Sequence, residues 1–429
     1  MISKRTSIVT AAAALLTVMV GWLAWSFMWR HAARIEPLPE SEMALTVTET
    51  GTTCRLGKGS EIEPTLAETP KPIAVFPGAE WARKPPAELG MAEGPIEKLA
   101  TAIRQGEHGA IHSLLVVRDG YLVFEEYFGG YPATRPNELQ STTKTIAALL
   151  TGIAIEQGYF KLGDPVMKLV SESYVNDGDA RRQKIRVQDV LTMRVGMDWK
   201  EWNVPMPERD ANLMIESKDW IQYMLDRPMK SEPGSEFQYN TGASVLLAGI
   251  IRRTTHLPAE RFADENLFTP IGVRSQMWRA KDAKGTINAG GGLMLTSRDM
   301  ARIGWLVASN GKWNEKQVVP SRFLDRCFTP STEKVGTLAL NGEAQPFHFG
   351  CHAWIIPVPY QGKTITVRAT MGTGGQYIFI LPEFRTVVVS TAWNAAEPAQ
   401  SNPVGWIKSH LLPALLAAKP GASPDRGGR

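Results

Sequence analysis

The chain has 429 residues, enough for one large domain with appendages. Its 47 Lys and Arg against 43 Asp and Glu leave a net charge of +4 and no dense basic stripe, which excludes the electrostatic footprint of a nucleic-acid binder. Its three cysteines, Cys54, Cys327 and Cys351, are far apart and form no C-x-x-C pair, so no zinc or redox motif is expected; one disulfide is compatible with an oxidising compartment, its pair unassigned.

Residues 1–30 read as a targeting segment. Lys4 and Arg5 precede an uncharged run from Ile8 to Met28, the length that spans a bilayer, with Trp22, Trp25 and Trp29 clustered at its far end. The run ends without a small-x-small cleavage site, which favours an uncleaved anchor over a cleaved signal. A short cytoplasmic N-terminus and an exported bulk are expected, of the bacterial inner-membrane type with a periplasmic or extracellular domain, although Arg30 and Arg34 nearly balance the flanking charge. Residues 31–90 carry many prolines and read as a tether, parts of which, near Phe76 and Trp81, are apolar enough to pack.

The domain proper is expected over residues 91–417. Pro95 to Ile103 is amphipathic at helical period. Two apolar runs, 113–118 and 121–128, joined by Asp119-Gly120, predict a type I′ hairpin. A core helix follows Gln140, with apolar positions at 146, 149, 150 and 153 and Gly158 beyond its end. From 160 to 310 the pattern is helical, with segments at 187–193, 219–225, 244–253 and 297–307, the last capped by Thr296 or Ser297. From about 348 closely spaced strands appear at 351–356, 364–369, 376–381 and 386–391, then a closing helix from Pro403 to Leu416 and a Gly/Pro tail at 418–429. Strands at both ends with helices between them predict an α+β fold. One antiparallel sheet is built from both ends of the domain and flanked by helices, with a mostly helical inserted subdomain.

Three stretches carry candidate chemistry. Ser141 and Lys144 stand one helical turn apart at the start of an apolar helix, so hydroxyl and ammonium share one face. A buried lysine can lose its proton and serve as base to that hydroxyl. Alone, the spacing also fits a capped helix start with a solvated lysine. Tyr239 lies at a loop-to-helix junction, where its phenol can reach a cleft or simply close the core edge. Thr370 to Gln376 is glycine-rich and opens a strand, which admits a substrate backbone and leaves N–H groups for an oxyanion hole. Trp199 and Trp202 line a substrate pocket or pack the loop; the sequence leaves both open. His348 and His352 suggest a Ser-His-Asp triad, but the chain holds no G-x-S-x-G elbow, and Cys351 sits in an apolar strand that keeps its thiol neutral.

In order and spacing, these three stretches resemble the serine β-lactamase and penicillin-binding-protein superfamily over roughly residues 90 to 415. The likeness is nearest to its class C-like branch, with esterases and 6-aminohexanoate-dimer hydrolases. Ser141-Thr142-Thr143-Lys144 matches Ser-x-x-Lys, Tyr239-Asn240-Thr241 matches the Tyr-x-Asn or Tyr-x-Ser motif with Thr in third place, and Thr370-Met371-Gly372 matches the Lys-Thr-Gly strand without its cation. The resemblance implies a serine hydrolase working through an acyl-enzyme, with Ser141 as nucleophile, Lys144 and Tyr239 managing its proton, and the N–H groups of Ser141 and Thr373 as oxyanion hole. Asn240, Thr370, Gly372, Gly374 and Trp199 become candidate substrate contacts. No metal or organic cofactor is implied, and the expected partner is a small amide or ester. The missing cation at Thr370, for which Arg368 could substitute, demotes β-lactams. A catalytically weak envelope protein holding peptide or peptidoglycan fragments is the alternative.

Overall fold

The computed structural model describes residues 75–170, 178–202, 204–330, 335–340, 343–394 and 403–417. The chain divides into residues 1–43 and 44–429, and every described residue lies in the second unit. The proposed anchor, most of the tether and the tail lie outside the described residues, within which no helix is long and apolar enough to cross a membrane.

The core is an antiparallel sheet of eight strands. The hairpin β1 (Ile111–Arg118) and β2 (Tyr121–Tyr127) forms one edge. The C-terminal half supplies β3 (Gly336–Leu340), β4 (Glu343–Phe349), β5 (Trp354–Tyr360), β6 (Lys363–Gly372), β7 (Gln376–Leu381) and β8 (Thr386–Ala392). The order is β2-β1-β8-β7-β6-β5-β4-β3, so the two ends of the domain meet where β1 pairs with β8. Every residue of β8 is buried, as a strand covered on both faces must be.

Strand alternation decides which residues meet which helices. Leu114, Val116, Phe379 and Val388 face a layer made by α1 (Glu93–Arg104) and the C-terminal helical segment, including Ile96, Leu99, Ile407 and Leu411. Leu115, Val117, Ile378, Val387 and Val389 face the opposite layer, which contains α2 (Thr143–Glu156), α4 (Thr241–Thr255) and α5 (Ser297–Ala308). Thr296 caps α5 by accepting from the Asp299 N–H. Residues 75–90 are packed as well: Trp81 is buried, and the Trp305 indole donates to the Val75 carbonyl. The packed unit therefore begins at or before residue 75, upstream of the expected boundary at 91.

Two features depart from the sequence expectation. Strands β3 and β4 were not expected, because Glu343 to Phe349 includes Pro346 and polar residues. Pro346 is tolerated because β4 bonds β5 only near its end, at Phe349 and His348. Likewise β5 runs through Pro357 and Pro359, since beyond Ile355 it is paired on one side only, with β6. The strand expected from residue 351 begins at Trp354, and His352 sits in a left-handed turn with φ of 52°.

His352 is buried and ties three helices together. Its Nε2 lies 3.0 Å from the Val190 carbonyl of α3 (Val187–Leu191), so that nitrogen carries the proton. Its Nδ1 lies 3.2 Å from the Ser244 hydroxyl on α4 and 3.3 Å from the Lys144 carbonyl of α2. Its own carbonyl accepts from Thr145 Oγ1 of α2 at 2.6 Å. Burial lowers its pKa to about 4, so the ring is neutral. The folded-state value lies below the ordinary 6.5, so this contribution is complete above pH 6.5 and is lost as pH falls toward 4. The most it supplies is about 3 kcal/mol. Denaturant melts across this range should show wild-type stability falling more steeply with acid than that of His352→Gln; parallel curves would refute the assignment.

Candidate active site

Gln140 takes a left-handed φ of 49°, and Gln140–Thr142 forms a 3-10 turn leading into α2. Thr142 closes this junction from the side. Its hydroxyl donates to the Gln376 carbonyl at 3.0 Å instead of capping α2. Thr370 Oγ1 bonds Thr142 Oγ1 at 3.3 Å. Thr370 is thus buried against the turn that carries Ser141, and this hydroxyl braces the turn. Gly372 explains how close the sheet comes. A Cβ there would stand 2.2 Å from the Leu139 carbonyl, so only glycine lets β6 pass the residues that lead into Ser141.

Lys144 is the centre of the site. Only 2% of it is exposed, and its Nζ donates to Ser141 Oγ at 2.9 Å and to the Gly290 carbonyl at 2.7 Å. Burial lowers its pKa to about 8, against the opposing pull of the Glu201 carboxylate. Tyr239 completes the triangle. Its hydroxyl meets that of Ser141, and its ring lies 5.1 Å from Lys144 Nζ. Burial and Glu201 push its pKa above the ordinary tyrosine range, so it is a neutral phenol.

A helix cap and an aromatic cluster fix Tyr239. Asn240 caps α4, its Oδ1 accepting from the Ala243 N–H at 3.0 Å. Its Nδ2 is buried with no hydrogen-bond partner. Trp202 stacks on the Tyr239 ring at 4.7 Å between centroids, and Trp354 at 5.8 Å. Phe349 meets the Trp354 ring edge-on at 4.8 Å.

Trp199 is placed differently from the expectation that it contacts substrate. It is 1% exposed, packs where a Gly242 Cβ would be, and donates its indole N–H to Glu201 at 2.7 Å. Glu201 also accepts from the Thr241 N–H at 2.7 Å and from its hydroxyl at 2.5 Å. Trp199 therefore orients the acid that biases Lys144 and Tyr239. Thr373 is exposed at the turn between β6 and β7, and Gly374 follows it with φ of 87°. Arg368, the offered substitute cation, lies 4.8 Å over the Phe328 ring, and burial lowers its pKa.

Sequence reasoning missed Glu201, the Gly290 carbonyl and the Trp354–Phe349 wall. No local pattern marks Glu201, which reaches the site through Thr241, forty positions away. Gly290 stands in the run Gly290-Gly291-Gly292, and a backbone carbonyl that accepts from Lys144 leaves no mark in the side-chain pattern.

The family model described as Beta-lactamase matches residues 97–411. The chain belongs to the beta-lactamase family. This member is 23% identical over 336 residues to the 6-aminohexanoate-dimer hydrolase of Paenarthrobacter ureafaciens, covering 74% of this chain and 83% of that one. It is also 23% identical over 340 residues to the D-alanyl-D-alanine-carboxypeptidase/endopeptidase AmpH of Escherichia coli, covering 70% and 84%. Among solved structures, the octameric penicillin-binding-protein homologue of Pyrococcus abyssi superposes with a TM-score of 0.56 at 19% identity, covering 75% and 77%. This beta-lactamase-family chain has the hydrolase fold that its amidase, esterase and carboxypeptidase relatives share.

The close approach at Gly372 gives a direct check. Gly372→Ala should destabilise the protein by about 1–3 kcal/mol, the cost of overpacking, read as a lower denaturant midpoint. An unchanged midpoint would mean that the Leu139 carbonyl is free to move away.

Proposed function

We propose that the protein is a serine hydrolase that opens amide or ester bonds of small substrates through an acyl-enzyme on Ser141. The observation that carries this is the buried Lys144 ammonium bonded to Ser141 Oγ, with Tyr239 on the same oxygen. Of the two candidate bases, Lys144 is the one that titrates near neutral pH. Its neutral form takes the Ser141 proton as Oγ attacks the carbonyl carbon. The neutral Tyr239 relays a proton to the departing amine or alcohol. Water then hydrolyses the ester and regenerates Ser141.

The N–H groups of Ser141 and Thr373 are the proposed oxyanion donors; the closeness of Gly372 to the Leu139 carbonyl and the Gln140 side chain supports their nearness. The buried Asn240 Nδ2 lacks an acceptor, which a substrate carbonyl would supply. The partly exposed Trp202, stacked on Tyr239 beside the buried Trp354 and Phe349, gives the site an apolar face, which favours uncharged, apolar substrate groups over carboxylate-bearing β-lactams. Both Thr370 and Arg368 are engaged elsewhere, which supports the same ranking. We also propose that residues 8–28 anchor the domain on the outer side of a membrane, on the strength of that apolar run.

A fluorescent fluorophosphonate should label the wild type and fail to label Ser141→Ala. Lys144→Ala should label about 10²–10⁴-fold more slowly, the usual worth of a positioned base. In turnover assays, p-nitrophenyl esters of apolar acids and short linear amides should outpace nitrocefin. Absence of labelling in folded wild type would overturn the hydrolase reading, and rapid nitrocefin turnover would overturn the substrate ranking.

A further inference from the structure

Away from the catalytic triangle, two cysteines that no step uses lie side by side. Cys327 ends α6 (Ser321–Cys327), and Cys351 stands in the turn before β5. Both are buried. The Cys351 N–H donates to the Cys327 carbonyl at 3.2 Å, and the Cys327 thiol neighbours that of Cys351. The approach is built in: a Cβ on Gly350 would stand 1.7 Å from the Cys327 carbonyl, so glycine alone lets the two backbones meet. The next residue is His352, which bonds α2, α3 and α4.

We propose that Cys327 and Cys351 are a disulfide site, closed by exchange with a small disulfide oxidant during folding, and that the bond pins the turn carrying His352 behind the Ser141 helix. Burial keeps the folded Cys327 thiol protonated, and a thiol without its thiolate does not exchange, so the bond forms before the core closes. In the first exchange one cysteine thiolate attacks the oxidant's sulfur, forming a mixed disulfide and releasing one thiolate of the oxidant. In the second, the other cysteine thiolate attacks the protein-side sulfur and releases the remaining one. Two cysteine sulfurs are oxidised, the oxidant's S–S bond is reduced to two thiols, and the two cysteine protons end on those thiols. This site is independent of the hydrolase reading.

The test is refolding of the full chain with a mixture of glutathione and glutathione disulfide, followed by protease digestion and mass spectrometry without reductant. The expected product is one peptide pair joined through Cys327 and Cys351, lighter by two hydrogens than the separate peptides, with Cys54 free to alkylate. Dithiothreitol should lower the wild-type melting temperature by several degrees and leave Cys327→Ser/Cys351→Ser unmoved. Full alkylation of both cysteines after oxidative refolding, or a linkage through Cys54, would overturn the proposal. So would a melting temperature indifferent to reductant in a protein shown to be linked.

Discussion

The site depends on one buried cation. Lys144 is almost wholly removed from water, and its Nζ is held by Ser141 Oγ and the Gly290 carbonyl. Desolvation disfavours its charge, which brings an ordinary lysine pKa of 10.5 down to about 8. Glu201 limits that fall. Too little burial would leave Lys144 a permanent cation and no base. Too much, without Glu201, would leave it neutral and poorly held at its post. The acid is itself fixed by the Trp199 indole and by Thr241, so a buried tryptophan bears on the electrostatics around Lys144.

The fold provides this environment by bringing distant segments to the start of α2. Thr142 and Thr370 lock the turn to β6, Gly372 lets the sheet touch the backbone before Ser141, and His352 braces α2 from the other side. The sheet is closed by β1 against β8, so the N-terminal hairpin and the last strand are one structural unit although the whole helical subdomain separates them in sequence. That subdomain then returns Tyr239 and Gly290 to Ser141 and Lys144.

What the sequence made legible was set by local chemistry. The Asp119-Gly120 hairpin, the Thr296 cap, the apolar α2 and the order of the Ser141, Tyr239 and Gly372 stretches all follow from short-range patterns, and each is present. Strand β4 was hidden because Pro346 argues against a strand unless one knows that this part of it pairs on one side only. Glu201 was hidden because its role depends on a fold-dependent approach to Thr241, and an acid in a loop carries no signal of its own. Trp199 and Trp202 could not be told apart by composition. The structure buries the first against Gly242 and stacks the second on Tyr239.

The central claim is that Lys144, held near neutrality by burial and biased by Glu201, is the base for Ser141. The most direct measurement is the pH dependence of the second-order rate of Ser141 acylation in wild type and in Glu201→Gln. The wild-type rate should rise with pH through a single limb near pH 8, as Lys144 loses its proton. Glu201 raises the Lys144 pKa, so its neutralisation should move that limb to lower pH. A limb near the ordinary lysine value of 10.5, or one that stays in place or moves upward in Glu201→Gln, would contradict the account.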